Sequence, residues 1–135
     1  YIVVGVHLSD DHSPDSGSIY VYRFERGEFK LLQHIPNPDE SQENDEFGWS
    51  VAISDGFIVV GAYSDNGFSG SVYVYRLERG EFKHHQKIPN PDKGSPELDL
   101  FGNSVAIHDG RIVVGAPEDL STGSPGNAYV YSYGY

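Results

Sequence analysis

Fourteen of the 20 acidic residues fall in five short polar stretches: Asp10, Asp11 and Asp15; Asp39, Glu40, Glu43, Asp45 and Glu46; Asp65; Asp92, Glu97 and Asp99; Glu118 and Asp119. A single base, Lys93, accompanies them. Carboxylates gathered this way attract cations or a basic protein surface and repel phosphate and sialic acid, over a range set by the roughly 8 Å Debye length at physiological salt. Loops also carry charge simply to stay wet, so these acids are candidate binding residues. They do not form the opposed, environment-tuned pair that glycoside hydrolysis requires. His7, Asp10, Asp11, His12 and Asp15 could offer nitrogen and oxygen to a divalent ion, but Pro14 and Gly17 make the stretch read as a solvated turn, and no metal ligand is assigned. No nucleophile elbow, His-Glu-x-x-His or phosphate-cradling glycine loop is present, and no Ser, His and Asp are brought together by the pattern, so no catalytic residue is assigned and the chain reads as non-enzymatic.

Three aromatic residues complete the candidates. Trp49, the one tryptophan, could stack on a sugar or peptide beside the acids, or could simply pack. Tyr129, Tyr131, Tyr133 and Tyr135 alternate, which on a strand puts four rings on one side. Tyr73 and Tyr75 already show the first half of that pattern as ordinary core, leaving Tyr133 and Tyr135 as the candidate adhesive surplus.

Composition limits what could hold these groups. At 135 residues, 38% hydrophobic and 13% aromatic, the chain can build a core. Without cysteine there is no disulfide framework or thiolate metal site, and no apolar run reaches the roughly 18 residues of a membrane span. The absence of methionine, with a strand-like opening Tyr1-Ile2-Val3-Val4, leads us to expect a processed or excised piece. Nine basic residues against 20 acidic ones, net charge -11, argue against nucleic acid and anionic membranes as partners.

The positioning framework is an internal repeat. Phe47-Gly48-Trp49-Ser50-Val51-Ala52-Ile53 returns as Phe101-Gly102-Asn103-Ser104-Val105-Ala106-Ile107, and Ile58-Val59-Val60-Gly61 recurs at Ile2 to Gly5 and at Ile112 to Gly115. Gly70 to Tyr75 matches Gly17 to Tyr22 and Gly126 to Tyr131, while Arg79 to Lys83 and Ile88 to Asp92 match Arg26 to Lys30 and Ile35 to Asp39. Each unit of about 54 residues reads as four short antiparallel strands: Ser50 to Ile53, Ile58 to Gly61 across an Asp55-Gly56 turn, Val72 to Arg76, and a charged outer strand Glu81 to Ile88 ended by Pro89 and Pro91. No segment has a helical period. The pattern predicts an all-β propeller of four-stranded blades. Residues 1–46 supply strands 2 to 4 of one blade, 47–100 a whole blade, and 101–135 strands 1 to 3 of a third. Two and a half blades cannot close a ring, so a larger propeller, for example of seven blades, or several copies is expected, with neighbouring blades or copies completing it.

Phe-Gly-x-Ser-Val-Ala-Ile, Ile-Val-Val-Gly-Ala and Gly-Ser-x-Tyr-Val-Tyr together resemble the FG-GAP repeat, the blade unit of the integrin α-subunit propeller and of many extracellular bacterial proteins. The full Phe-Gly to Gly-Ala-Pro match is Phe101-Gly102 to Gly115-Ala116-Pro117; Tyr63 and Val6-His7 depart from it in the other two units. The short first hairpin is similar to the bacterial-type subgroup. Integrin-type blades often carry a calcium loop between strands 1 and 2; here Ser54-Asp55-Gly56-Phe57 and His108-Asp109-Gly110-Arg111 offer one carboxylate each, so no cofactor is expected in these blades. The resemblance implies a secreted or cell-surface scaffold that binds a protein or cell-surface ligand through the face bearing the 2-3 and 4-1 loops, where the fourteen acids lie. Eight bases, Lys87 among them, are expected on the outer strands or the opposite turns. A structural unit of an extracellular filament, and a propeller attached to a hydrolase, are the alternatives.

Overall fold

The structure is a computed structural model, and it describes residues 1–10, 13–39, 44–92, 99–117 and 125–133. Three antiparallel sheets follow one another along the chain. The first has the order β1-β2-β3, from Ile2–Val6, Ser18–Glu25 and Glu28–Pro36; the second is β4 (Ser50–Ser54), β5 (Phe57–Ala62), β6 (Ser71–Glu78) and β7 (Glu81–Pro89) in that order; the third runs β8 (Ser104–His108), β9 (Arg111–Ala116) and β10 (Asn127–Ser132). The chain is therefore all-β and built of propeller blades, with a single helical turn among the described residues, α1 (Asp65–Phe68), before β6. One turn is too short to leave a period in the sequence, which is why that stretch reads as loop.

The tight hairpins follow from backbone chemistry. Asp55-Gly56 and Asp109-Gly110 have φ of 52° and 78°, and 44° and 76°, the left-handed pair that matches the right-handed twist of the flanking strands. Arg26-Gly27 and Arg79-Gly80 take the same pair of angles, so an arginine is held in the left-handed region between β2 and β3 and again between β6 and β7.

Alternation along the strands sends side chains to opposite faces of each sheet, and both faces of the middle sheet are covered. Ile58, Val60, Ala62, Tyr73, Tyr75 and Phe82 pack with Ile19 and Val21 of the first sheet. Val59, Val72, Val74 and Ile88 pack with Ile107, Ile112, Val114 and Ala116 of the third. Two phenylalanines sit at the seams: Phe47 joins the first cluster and Phe101 the second, both fully buried. Their backbones are seated on the preceding blade, the Phe47 amide donating to the Ser16 carbonyl at 2.9 Å and the Phe101 amide to the Ser69 carbonyl at 3.1 Å. Farther out, Gln33 of β3 crosses to β7: its Nε2 donates to the Phe82 carbonyl at 3.0 Å and its Oε1 accepts from the Phe82 amide at 2.6 Å. The outward faces of the two end sheets stay open. Val59 is buried completely, whereas its repeat counterpart Val113 is 41% exposed, and Ile2, Val4, Val6 and Phe29 on the other end are exposed too.

Candidate functional site

The 2-3 and 4-1 loops are laced to each other on one end of the blades. Within the first seam the Asn44 amide donates to the Pro14 carbonyl and the Glu46 amide to the Asp15 carbonyl; at the second, the Leu100 amide donates to the Phe68 carbonyl. An asparagine organises each 4-1 connection. Asn37 Nδ2 donates to the Ser16 carbonyl at 3.2 Å and to Asp45 Oδ2 at 3.1 Å, while its Oδ1 accepts from the Asp39 amide at 2.9 Å. Asn90 repeats all three bonds, to the Ser69 carbonyl, to Asp99 Oδ2 and from the Asp92 amide. Asx geometry after each Asn-Pro-Asp thus sets the direction of the loop, and Asp45 and Asp99 serve as its anchors.

Three carboxylates converge where the first two blades meet. Asp39, Asp45 and Asp65 place oxygens within 4.8 Å of one another. Asp45 and Asp65 are each only 2% exposed, so these two side chains belong to the interior beneath the face rather than to its surface. Lys87 reaches into the group from β7, with Nζ 2.9 Å from Asp65 Oδ2 and 4.0 Å from Asp39 Oδ2, and lies 5.2 Å from the centre of the Tyr73 ring. That corrects the expected separation of bases from acids: the side chain of Lys87 carries its charge from the outer strand into the acidic cluster. Burial disfavours the charged amine, but Asp65 and Tyr73 outweigh it and hold Lys87 protonated well above its ordinary range. Burial first, and the Asp65 carboxylate second, push the Asp45 carboxyl up to about 7, against the hydrogen bond from Asn37. An ammonium ion thus already supplies the positive charge that three clustered carboxylates need. The Asp55-Gly56 and Asp109-Gly110 turns offer one carboxylate each, far short of the six to eight oxygens of calcium, and do not fit that ion.

An aromatic strip runs across the same face. His7 meets Trp49 edge-on at 4.7 Å, Trp49 meets Tyr63 at 4.7 Å, and Tyr63 meets Phe68 at 6.2 Å. Trp49 is 41% exposed, and the carboxylate of Glu46 lies 3.3 Å from His7 Nδ1. Burial and the Glu46 carboxylate raise the Tyr63 hydroxyl above its usual value. Sequence reasoning missed this strip because Tyr63 stands where the repeat has proline and because His7 and Phe68 lie in the part of the unit whose length varies.

The remaining candidates separate. Asp10 is exposed and its Oδ1 accepts from the Asp15 amide at 2.9 Å; Asp15, Asp92 and Asp99 are half-buried. Asp11, His12, Glu40, Glu43, Glu97, Glu118, Asp119 and Tyr135 lie outside the described residues. Tyr133 is drawn into the second seam: it packs on Phe57 at 4.6 Å, and its amide donates to the Gly110 carbonyl as that of Leu77 does to Gly56. It therefore occupies the Leu77 position of the repeat rather than a surplus one.

Comparison with known proteins gives two findings. A family model described as FG-GAP repeat matches residues 37–75 and 87–131. Integrin alpha-2 of Bos taurus is 30% identical over 115 residues, which is 77% of this chain and 10% of that protein. The chain thus spans about a tenth of the length of that relative.

Proposed function

The chain belongs to the FG-GAP repeat family, and from that premise we propose that it is a non-enzymatic β-propeller scaffold, secreted or at the cell surface, that recognises a basic protein segment through its acidic loop face. The observation that carries this reading is the exposed indole of Trp49 packed edge-on against His7, whose Nδ1 lies 3.3 Å from the Glu46 carboxylate, so that ring and carboxylate flank one imidazole. An aromatic ring next to a carboxylate suits an arginine or lysine side chain, which takes a cation–π contact and an ion pair together. The likeness to integrin alpha-2 supports the extracellular setting. Integrin-like propellers are generally non-enzymatic scaffolds, which favours binding over catalysis.

Because Trp49 is the one tryptophan, its fluorescence reports binding at this place alone. Titration with an arginine-rich decapeptide is expected to change the emission and to weaken steeply with salt. Glu46→Lys should lower the affinity about tenfold and flatten the salt dependence. Unchanged binding and an unchanged salt slope in that variant would remove the proposal.

A second reading, assembly into a filament or ring, is favoured by the open faces at the two ends. Val4, exposed on one end, and Val113, exposed on the other, are counterparts of Val60 and Val59, which are buried at the seams. Copies stacked end to end would bury both faces through a head-to-tail contact. Sedimentation should show association that rises with concentration, and Val4→Lys should leave a monomer at the same concentration. A native chain that stays monomeric throughout would exclude assembly by copies.

A further inference from the structure

We propose that His7 is a built-in competitor for the basic segment: once protonated it takes the Glu46 carboxylate and sets a positive charge against Trp49, so the acidic loop face releases its partner as the medium acidifies. This rests on the recognition of a basic segment proposed above and gives that same site its regulation. His7 follows β1, and Glu46 and Trp49 approach it from the connection into β4. Its Nδ1 lies 3.3 Å from Glu46 Oε2, and its ring meets the indole edge-on with centres 4.7 Å apart. Nδ1 is shut off from solvent and makes no hydrogen bond among the described residues. A proton placed there cannot be hydrated, and Glu46 is the carboxylate within reach.

Glu46 is held in place to be contested. Its amide donates to the Asp15 carbonyl at 3.1 Å, its carbonyl accepts from the Trp49 amide at 3.0 Å, and the Tyr63 hydroxyl donates to its carboxylate. The other charged groups on the neighbouring elements are engaged elsewhere. Asp10 Oδ1 accepts from the Asp15 amide within their own loop, Asp45 is bonded to Asn37 beneath the face, and Lys87 answers Asp65 and Asp39 deeper in the seam. Histidine is the side chain that changes charge between pH 5 and 8. A neutral imidazole leaves the negative charge of Glu46 to an arginine that stacks on the indole; a protonated one satisfies that charge from within and repels a second cation at the same place. Two cations then compete for one carboxylate, so the proton drives off the partner and, by reciprocity, the partner drives off the proton. A guanidinium keeps its own charge throughout this range, so pH acts through the chain and not through an arginine-rich ligand.

The test is the dissociation constant of the arginine-rich decapeptide at about pH 7.5 and about pH 5.5, at one ionic strength, for the native chain and for His7→Gln. The native chain should bind about tenfold more weakly at the lower pH. Carboxylates elsewhere that gain protons act on both chains alike, so in His7→Gln the ratio of the two constants should shrink to about twofold, whatever that variant's affinity at the higher pH. In the native chain at about pH 6.5, added decapeptide should also move the His7 ring-proton NMR signals toward their high-pH positions, a readout that needs no variant. The same ratio in both chains, or His7 signals that ignore the peptide, overturns the competition and leaves the recognition of a basic segment standing. Absence of decapeptide binding at either pH overturns that recognition, and the competition with it.

Discussion

Gly70→Ala is expected to disrupt the seam between the second and third blades, at a cost of about 3 to 5 kcal/mol, the sum of an overpacked backbone contact and a left-handed alanine. Gly70 has φ of +93°, and a Cβ placed on it would lie 1.9 Å from the Phe101 carbonyl oxygen and 2.7 Å from the Phe101 nitrogen. Those atoms are backbone and cannot rotate aside, so either Phe101 leaves its buried place or the hydrogen bond from its amide to Ser69 is lost. A domain with a total stability of about 5 to 15 kcal/mol loses much of it. Gly27→Ala is the matched control: its φ is +82°, yet nothing lies within 4 Å of the added carbon, so only the backbone cost of about 1 kcal/mol should appear. Urea denaturation of the two variants separates contact from conformation. Equal losses would show that the close approach contributes nothing.

The pH dependence of stability should be carried largely by Asp45. A carboxyl raised from 3.8 to about 7 holds its proton more tightly in the folded chain than in the unfolded one. Folding then takes up a proton between those two values, so the stabilising contribution is complete below about pH 4 and is lost as pH rises toward 7. Each tenfold difference in proton affinity between the folded and unfolded chains corresponds to about 1.4 kcal/mol, and with Lys87 nearby to screen the charge a net loss of about 2 kcal/mol between pH 5 and pH 8 is expected. Asp45→Asn keeps an acceptor for Asn37 Nδ2 and removes the charge, so this variant should lie close to the native chain at pH 5 and exceed it by about 2 kcal/mol at pH 8. Denaturation midpoints at the two pH values decide the matter; parallel behaviour of both chains would show that the Asp45 proton is not coupled to folding.

What the sequence conveys here depends on whether a contact lies inside the repeat. Strand order, the Asp55-Gly56 and Asp109-Gly110 hairpins and the inward and outward sets of each sheet were readable because period-2 alternation and turn chemistry act locally. The meeting of the described parts of the 2-3 and 4-1 loops likewise followed from the strand order. What could not be read was depth. Nothing in the composition of a polar loop separates Asp45, anchored under Asn37, from Asp39, which lies nearer to water, because burial there is decided by the packing of two blades against each other. Lys87 was misplaced for a related reason. Its strand runs along the outside, but a long flexible side chain can carry its charge several ångströms from its own backbone, and the carboxylate of Asp65 supplies the reason to do so. The aromatic strip escaped because it joins His7 of the first unit to Trp49 and Tyr63 of the second, a relation that comparing equivalent positions does not test.

The approach of Gly61 to the Gly102 carbonyl, like that of Gly5 to the Gly48 carbonyl, means that the two halves of the recurring motif meet between successive units and not within one. A unit's Phe-Gly is shaped for the glycines of the unit before it. The inheritable module is accordingly offset from the visible blade: it is the junction, half of it spelled on each side. Duplication or loss of one whole period rejoins matching halves and recreates a valid junction, whereas a change in one half must be answered in its neighbour. Such chains can evolve readily in blade number while remaining resistant to change in the few small residues that set the spacing from one blade to the next.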